Sequence, residues 1–490
     1  MNTLILGYGK TGRAVYDYLN NQTNPGSLDK VFVYDDILTD DKINALNKTA
    51  DLKAHKNAVF FNKTNYKVFM EKYCRDINRC IASPGIERNH NVISKLKKYN
   101  IPVYSEIEFA YKMLNSKEHK EAAKIIAITG TNGKTTTTTF CEKAINKAGL
   151  SKTTFVGGNL GVPFISGVKD FNDFILEISS FQLEWVYDFK PDIAVLLNVE
   201  DDHLDRYENF DEYRLTKYKL FKNLKHSDVA ILNYDDYNSR ILKGVVGSKA
   251  ILFGLDENKC DAYFKEDAIH LRFKDITGFD AAIPLKNVKD KRRFVIYDML
   301  AAACSLALFG VSPEDIASAC AEYELLKHRV EYIGSVGDIE FYDDSKATNP
   351  AAVVSALKSI SETGEGDEDI VLILGGKDKG FNYECLIQPV KNSVKACVLI
   401  GETKNIIKDT LNGYAPLITA DDMERAVEES FLYLLNNLRR ANKGIVLLSP
   451  ASSSFDMFKD YNERGDIFKK CYQALKERFC ERLGNGGSEV

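Results

Sequence analysis

Short apolar runs separated by amphipathic stretches begin at the N-terminus and recur along the whole chain. Thr3–Leu6, Lys30–Tyr34, Ala58–Phe61, Cys80–Ala82 and Val103–Tyr104 are bounded by polar or glycine-containing turns and predict five strands of a small parallel sheet. Lys124–Ile128, Thr153–Val156, Phe174–Glu177, Ile193–Leu197, Val229–Leu232 and Ala250–Phe253 predict a second, larger sheet. Asp261–Pro284 alternates apolar with polar positions, as antiparallel hairpins do, and Arg292–Phe309 and Pro313–Tyr323 read as helices. The pattern then restarts: strands Val330–Val336, Glu340–Tyr342, Ile370–Leu374, Ala396–Ile400 and Gly444–Leu448, with helices Pro350–Ser361 and Met423–Arg440. Strands that alternate with helices imply an α/β chain with parallel sheets. Three domains are expected, 1–118, 119–326 and 327–483, with an acidic surface loop at Glu362–Asp369 and a disordered tail at 484–490.

Composition narrows this picture. A chain of 490 residues is too long for one core. Its net charge of -5, with both signs mixed, gives no electrostatic ground for binding nucleic acid or an anionic membrane. No stretch approaches 18 apolar residues and the chain starts in a strand, so a cytosolic protein without membrane insertion is expected. The ten cysteines contain no Cys-x-x-Cys pair and read as reduced and buried.

The strongest chemical signal is Ile125–Thr139. A buried strand runs into Gly130, Thr131, Asn132 and Gly133, and Lys134 opens a helix. Backbone N–H groups of such a turn converge with the helix dipole on one spot, where they hold polyphosphate oxygens. Lys134 then reaches the β and γ phosphates and the Thr135 hydroxyl is placed for Mg²⁺. The general pattern has a glycine six residues before the lysine, whereas position 128 is Ile. Gly7-Tyr8-Gly9-Lys10-Thr11-Gly12 fits a Rossmann-type fingerprint seating a diphosphate on a helix that starts near Gly12, with Asp35-Asp36 where a ribose carboxylate would sit and Ser83-Pro84-Gly85 as a further turn. The fold expected is thus a Rossmann-like N-terminal domain, a P-loop-type central ATPase domain and a Rossmann-like C-terminal domain.

Glu177, at a strand end beside the phosphate loop, reads either as a Mg²⁺ ligand or as a helix-capping acid. His203 stands among Glu200, Asp201, Asp202 and Asp205, a metal-ligand setting. Lys217 and Lys219, among Tyr213, Tyr218, Leu220 and Phe221, read by spacing alone as snorkelling lysines. In the third domain Asp343–Pro350, Gly375–Gly380 and Ser449–Asp456 follow strands, and three such loops on one sheet edge suggest a site for an anionic small molecule.

Taken together, Thr129–Thr135, Glu177–Leu183, Asn198–Asp205, His328-Arg329, Asp344–Asn349 and Ser449–Asp456 resemble the Mur ligases of peptidoglycan assembly, in order and across nearly the whole chain. Ser-Ser-Phe-Gln-Leu and Asp-Ser-Lys-Ala-Thr-Asn are similar to the segments of the members that add D-glutamate. The resemblance implies an ATP-dependent ligase that joins D-glutamate to UDP-N-acetylmuramoyl-L-alanine through an acyl phosphate, as a monomer. By the same resemblance Gly130, Thr131, Asn132, Gly133, Lys134, Thr135 and Thr136 hold ATP, with Arg329, Asp344 and Lys346 as further nucleotide contacts. Two Mg²⁺ ions are implied, with ligands Thr135, Glu177, His203 and a CO₂-derived carbamate on Lys217. Gly9, Lys10, Thr11 and Gly85 would bind UDP, Asn159 the muramoyl substrate, and Thr348, Lys379, Ser454, Phe455 and Tyr461 D-glutamate. The chain departs from the family where Phe294-Val295 replaces a His-Asn pair that meets adenine, and where Asp36 and Ile37 replace uridine contacts. Gly7–Gly12 alone would instead suggest a dinucleotide oxidoreductase, a sister ligase would add another amino acid, and a non-catalytic nucleotide-binding regulator is the fourth reading.

Overall fold

The computed structural model describes residues 1–490 except 22–28, 53–57, 117–122, 160, 204–205, 289–290, 324–326, 364–368, 438–442 and 486–490; for 48–52, 275, 277, 361–363 and 480–485 it describes the backbone only. Asp205, most of the acidic loop and the last five residues of the expected tail therefore lie outside the described residues. Gly484 and Asn485 are not tail: they end the helix Tyr461–Asn485, which the strand-and-helix pattern missed.

The strands are β1 (Thr3–Leu6), β2 (Val31–Tyr34), β3 (Ala58–Phe61), β4 (Arg79–Ala82), β5 (Val103–Ser105), β6 (Ile125–Thr129), β7 (Thr154–Gly158), β8 (Asp173–Glu177), β9 (Ile193–Leu196), β10 (Val229–Asn233), β11 (Lys249–Gly254), β12 (Ala262–Lys265), β13 (Ala268–Phe273), β14 (Phe279–Pro284), β15 (Glu331–Val336), β16 (Ile339–Asp343), β17 (Asp369–Leu374), β18 (Val394–Leu399), β19 (Leu417–Thr419) and β20 (Gly444–Leu448). They form three sheets, ordered β3-β2-β1-β4-β5, β14-β13-β12-β11-β10-β9-β6-β8-β7 and β15-β16-β20-β17-β18-β19. The first is wholly parallel. The second is parallel from β7 to β12 and ends in the antiparallel β12-β13-β14 meander that the alternation of Asp261–Pro284 predicts.

By compactness the chain forms two units. One comprises Met1–Val199, Arg214–Lys286 and Asp298–Ala321; the other comprises Glu200–Tyr213, Asn287–Tyr297 and Glu322–Val490. Within the first unit, the first two sheets are held together by buried contacts. Trp185, the chain's one tryptophan, packs into the core of the first sheet, and Ser105 N donates to Trp185 O at 3.1 Å. Glu106 and Glu108 continue this seam from the helix Glu106–Leu114. Glu106 Oε1 accepts from Ile165 N at 2.6 Å, and Glu108 takes the N–H groups of Tyr187, Asp188 and Phe189.

In the second unit the period-two rule of a strand is visible in the core itself. Ile370, Leu372 and Leu374 face one apolar cluster and Val371 and Ile373 the other; Ile445 and Leu447 divide from Val446 and Leu448 in the same way. Burying each such side chain stabilises by about 1.5–3 kcal/mol, which explains why β17 and β20 read as unbroken apolar runs. No helix among the described residues is long and apolar enough to cross a membrane. The described cysteines are free thiols; most are buried as expected, but Cys385 is exposed.

Candidate active site

In the second sheet β6 lies between β8 and β9, so the loop after β6 leaves the sheet where its connections diverge to either side. A crevice at strand C-termini is the usual ligand position of an open α/β sheet. Gly130 belongs here because a Cβ would crowd Leu197 at 2.9 Å, and Gly133 because its φ is +85° and a Cβ would collide with Asp298 Oδ1. The expected glycine at 128 is unnecessary: Ile128 is fully buried inside β6. Asn198, just past β9, pins the loop by accepting Asn132 N on Oδ1 at 2.8 Å and Thr131 N on its backbone oxygen at 3.0 Å. The helix Lys134–Lys147 follows Gly133, which provides no side-chain cap, and the first turn of a helix favours an anionic ligand.

Two lysines converge on one carbonyl. Lys134 Nζ donates to Gly130 O at 2.7 Å and Thr131 O at 2.8 Å, and Lys217 Nζ donates to Gly130 O at 2.8 Å. Lys217 is 1% exposed, which corrects the snorkelling reading: its ammonium turns inward onto the phosphate loop. Glu177 ends β8 beside Ile128. Asn159 Nδ2 donates to its Oε1 at 2.7 Å, while its Oε2 is buried without a hydrogen-bond partner. The capping alternative for Glu177 fails, because Ser179 caps the following turn with Gln182 closing a capping box. An orphaned carboxylate oxygen costs stability unless something electropositive meets it, and an oxygen donor of this kind suits Mg²⁺. Asp298, which the sequence reading passed over, accepts from Thr137 Oγ1 at 3.3 Å against the same loop.

In the first sheet Gly7 has φ +90° and a Cβ on Gly12 would collide with Gly7 O, whereas Gly9 and Gly85 open onto free space. The helix begins at Lys10, earlier than expected. Ser83 Oγ donates to Gly7 O at 2.9 Å, bringing the two glycine turns together. Gly9, Lys10 and Gly85 are exposed there, with Thr11 half-buried. The paired acids are engaged within the sheet's own loops. Asp35 accepts from Tyr8 N and Ile37 N; Asp36 accepts from Tyr34 OH at 3.0 Å and pairs with His90 Nε2 at 2.9 Å. Partial burial works against the charge of Asp36, but His90 and Tyr34 outweigh it and hold the carboxyl below its usual range.

In the second unit β16, β20 and β17 are neighbours, so the three donor-rich loops do share one sheet edge. Asn349 caps the helix Pro350–Thr363 through Ala352 N, with proline first as expected. Asp344 is buried and accepts from Ser449 Oγ at 2.6 Å and Val330 N at 3.2 Å. Burial pushes its carboxyl up to about 7, against the lowering by those bonds and by Arg329. Arg329 Nε is buried without a hydrogen-bond partner. Lys346 Nζ stands 5.3 Å over the Tyr461 ring, and Thr348 N donates to Lys346 O. Ser454 is buried, Lys379 half-buried and Phe455 exposed. His203 belongs to this unit, in the left-handed region at φ +57°, with its N donating to Asp202 Oδ1 at 2.8 Å and its ring 6.1 Å from Tyr213. Phe294 packs on the apolar core beneath Arg292 and Val295 is fully buried.

Arg464 is the functional neighbour that no motif announced. It is fully buried, and its guanidinium donates to Ser345 O at 2.7 Å, Ser345 Oγ at 3.0 Å and Ser452 O at 3.0 Å. Burial lowers its pKa to about 10. His328 supplies a second brace: its Nδ1 meets Asp343 Oδ2 at 2.7 Å while its carbonyl accepts from Lys346 N, and Glu331 and Lys469 complete the network. The loops were legible as donor-rich strand ends; Arg464 carried no signal because a lone arginine in a helix is ordinary.

These elements define a Mur ligase, and the chain belongs to that family: residues 128–306 match the Mur ligase middle domain and residues 328–451 the Mur ligase glutamate ligase domain. The chain is 36% identical over 412 residues to the UDP-N-acetylmuramoylalanine--D-glutamate ligase of Koribacter versatilis, covering 83% of this chain and 86% of that one. Solved structures share the fold at lower identity. A pseudomurein peptide ligase type C from Methanothermus fervidus gives a TM-score of 0.57 at 14% identity over 96% of this chain and 99% of its own. MurF ligase from Thermotoga maritima, in complex with ADP, gives 0.53 at 16% identity over 84% and 92%.

Proposed function

We propose that this chain is the ATP-dependent ligase that joins D-glutamate to UDP-N-acetylmuramoyl-L-alanine in peptidoglycan precursor synthesis. The observation that carries it is the phosphate loop on which Lys134 and Lys217 meet, beside a Glu177 oxygen left buried and unpaired, in a chain 36% identical to a D-glutamate ligase.

The carboxylate of the muramoyl-alanine acceptor attacks the γ-phosphorus of ATP and ADP leaves; the D-glutamate amine then attacks the acyl carbon and inorganic phosphate leaves. Two anions must approach one another, so the site has to supply positive charge and hold an in-line geometry. The Gly130–Thr136 backbone and Lys134 hold the phosphates, and the Lys134 ammonium stabilises charge on the transferring group. Thr135 and Glu177 would hold Mg²⁺, with His203 and a carbamate on Lys217 as the ligands of a second ion; Mg²⁺ supplies charge neutralisation at the phosphates. The Asn159 amide fixes one Glu177 oxygen and so directs the other, besides meeting the muramoyl substrate. Carbamate formation replaces a lysine cation by an anionic oxygen donor and requires the amine to lose its proton first. Arg329, Asp344 and Lys346 are further nucleotide contacts, Gly9, Lys10, Thr11 and Gly85 the UDP contacts, and Thr348, Lys379, Ser454, Phe455 and Tyr461 the D-glutamate contacts. The proposed partition is UDP binding by 1–118, ATP binding by 119–326 and amino-acid binding by 327–483, acting as a cytoplasmic monomer.

The test is phosphate release from Mg²⁺-ATP and UDP-N-acetylmuramoyl-L-alanine in the presence of D-glutamate, L-alanine, diaminopimelate or L-lysine. Release with D-glutamate alone is expected. Release with another amino acid in its place would assign a sister activity and overturn the proposal.

A further inference from the structure

The sheet edge carrying β16, β20, β17 and β18 has several basic side chains, and most already have a partner. Arg464 is consumed by the carbonyls of Ser345 and Ser452, Lys346 lies over the Tyr461 ring and Lys404 turns to Asp421. Lys379 has no hydrogen bond or ion pair among the described residues. Lys377 remains, and its partner is Glu402, 2.6 Å away, in a pair with nearly half of each side chain exposed.

Backbone geometry fixes Lys377 beside Ser453, the chain neighbour of Ser454. Its N–H donates to Ser453 O at 2.7 Å, an isolated antiparallel bridge between the loops after β17 and β20. Gly376 permits that approach, since a Cβ there would collide with Ser453 O. Glu402 is tied to the same place, its N–H donating to Asp456 Oδ2 at 2.9 Å. The other acids near Lys377 are Asp378 and Asp456; the first accepts from Gly380 N and the second takes Glu402 N on Oδ2, while its Oδ1 is buried without a hydrogen-bond partner.

A dicarboxylic amino acid whose amine must be neutral to attack carries two negative charges, and each requires a cation or donor set once it leaves water. Resting on the proposed function, we infer that Lys377 is a second carboxylate-binding cation of the amino-acid site, with Glu402 holding its place until one carboxylate of D-glutamate takes it. The exchange is isoelectric at Lys377: one carboxylate replaces another, and Glu402 turns to solvent. An exposed ion pair is weak and screened, so opening it opposes substrate binding only slightly. Lys379 meets the other carboxylate.

The test is the KM for D-glutamate, ATP and the muramoyl nucleotide, and the preference for D-glutamate over D-glutamine, in wild type, Lys377→Met, Lys377→Arg and Glu402→Gln. Lys377→Met should raise the KM for D-glutamate about tenfold and narrow the preference over D-glutamine, as loss of one charged hydrogen bond predicts, with the other two KM values unchanged. Lys377→Arg should recover most of the loss, and Glu402→Gln, which removes the competing carboxylate, should lower the KM. An unchanged KM for D-glutamate in Lys377→Met, or a Glu402→Gln KM that rises alongside it, would overturn the inference. A wild-type chain that never ligates D-glutamate would instead overturn the functional reading on which it rests.

Discussion

Replacing Glu106 by glutamine separates the charge of that side chain from its shape. Glu106 is 1% exposed; one oxygen accepts from Ile165 N and the other is buried without a partner. Burial pushes the carboxyl from 4.5 up to about 7, outweighing the hydrogen bond from Ile165 that lowers it. The folded chain therefore holds its proton more tightly than the unfolded chain, and stability falls as pH rises from about 4.5 to about 7, flattening on either side. At about 1.36 kcal/mol per pH unit the fall amounts to about 3 kcal/mol. Glutamine keeps the acceptor for Ile165 N but has no proton to lose. Denaturant unfolding of both proteins from pH 4 to 8 should show the variant gaining on wild type by about 3 kcal/mol as pH rises through that window. Parallel stability curves, differing by a constant, would refute the argument.

Lys134→Ala should lower phosphate release by about 10²–10³-fold, the scale of losing one charge-stabilising donor; near-normal turnover would remove the lysine from the phosphate site. Lys217→Ala should lose activity and regain part of it with added short carboxylic acids, whereas full activity without them would dispose of the carbamate. Gly133→Ala forces a side chain into a left-handed residue against Asp298 and should abolish nucleotide binding by calorimetry while the rest of the chain stays folded. Arg464→Met strands the carbonyls of Ser345 and Ser452 and should cost about 2–6 kcal/mol in denaturant unfolding, at about 1–3 kcal/mol for each buried acceptor left unpaired; a loss below about 1 kcal/mol would deny the arginine its bracing role.

Much of this protein was legible as sequence because local chemistry is local in space. The β-branched runs of β6, β17 and β20 could only be buried strands, Gly133 had to be glycine where the chain turns left-handed, and Pro350 preceded by Asn349 marked a helix start. The loops after β16, β17 and β20 read as donor-rich ends of strands on one sheet edge, and they do share it. The order β16-β20-β17 within the sheet was not legible, because strand order depends on which crossovers the chain takes. The helix Tyr461–Asn485 escaped the reading altogether, its charged positions hiding a buried face: Phe468 and Tyr472 join the apolar cluster of Val371 and Ile373, and Arg464 is buried beside them in sequence.

What sequence determined alone was the set of turns and strands able to hold phosphate. Tertiary structure decided what each polar side chain does there: Lys217 turns inward, Glu177 keeps one oxygen bare, Asp35 and Asp36 are spent within their own sheet, and Asn198 and Arg464 brace loops far from them in the chain. Burial and partner identity are properties of residues brought together across long separations. Neither is encoded in the neighbours along the backbone, so periodicity gives the scaffold while packing gives the charge state.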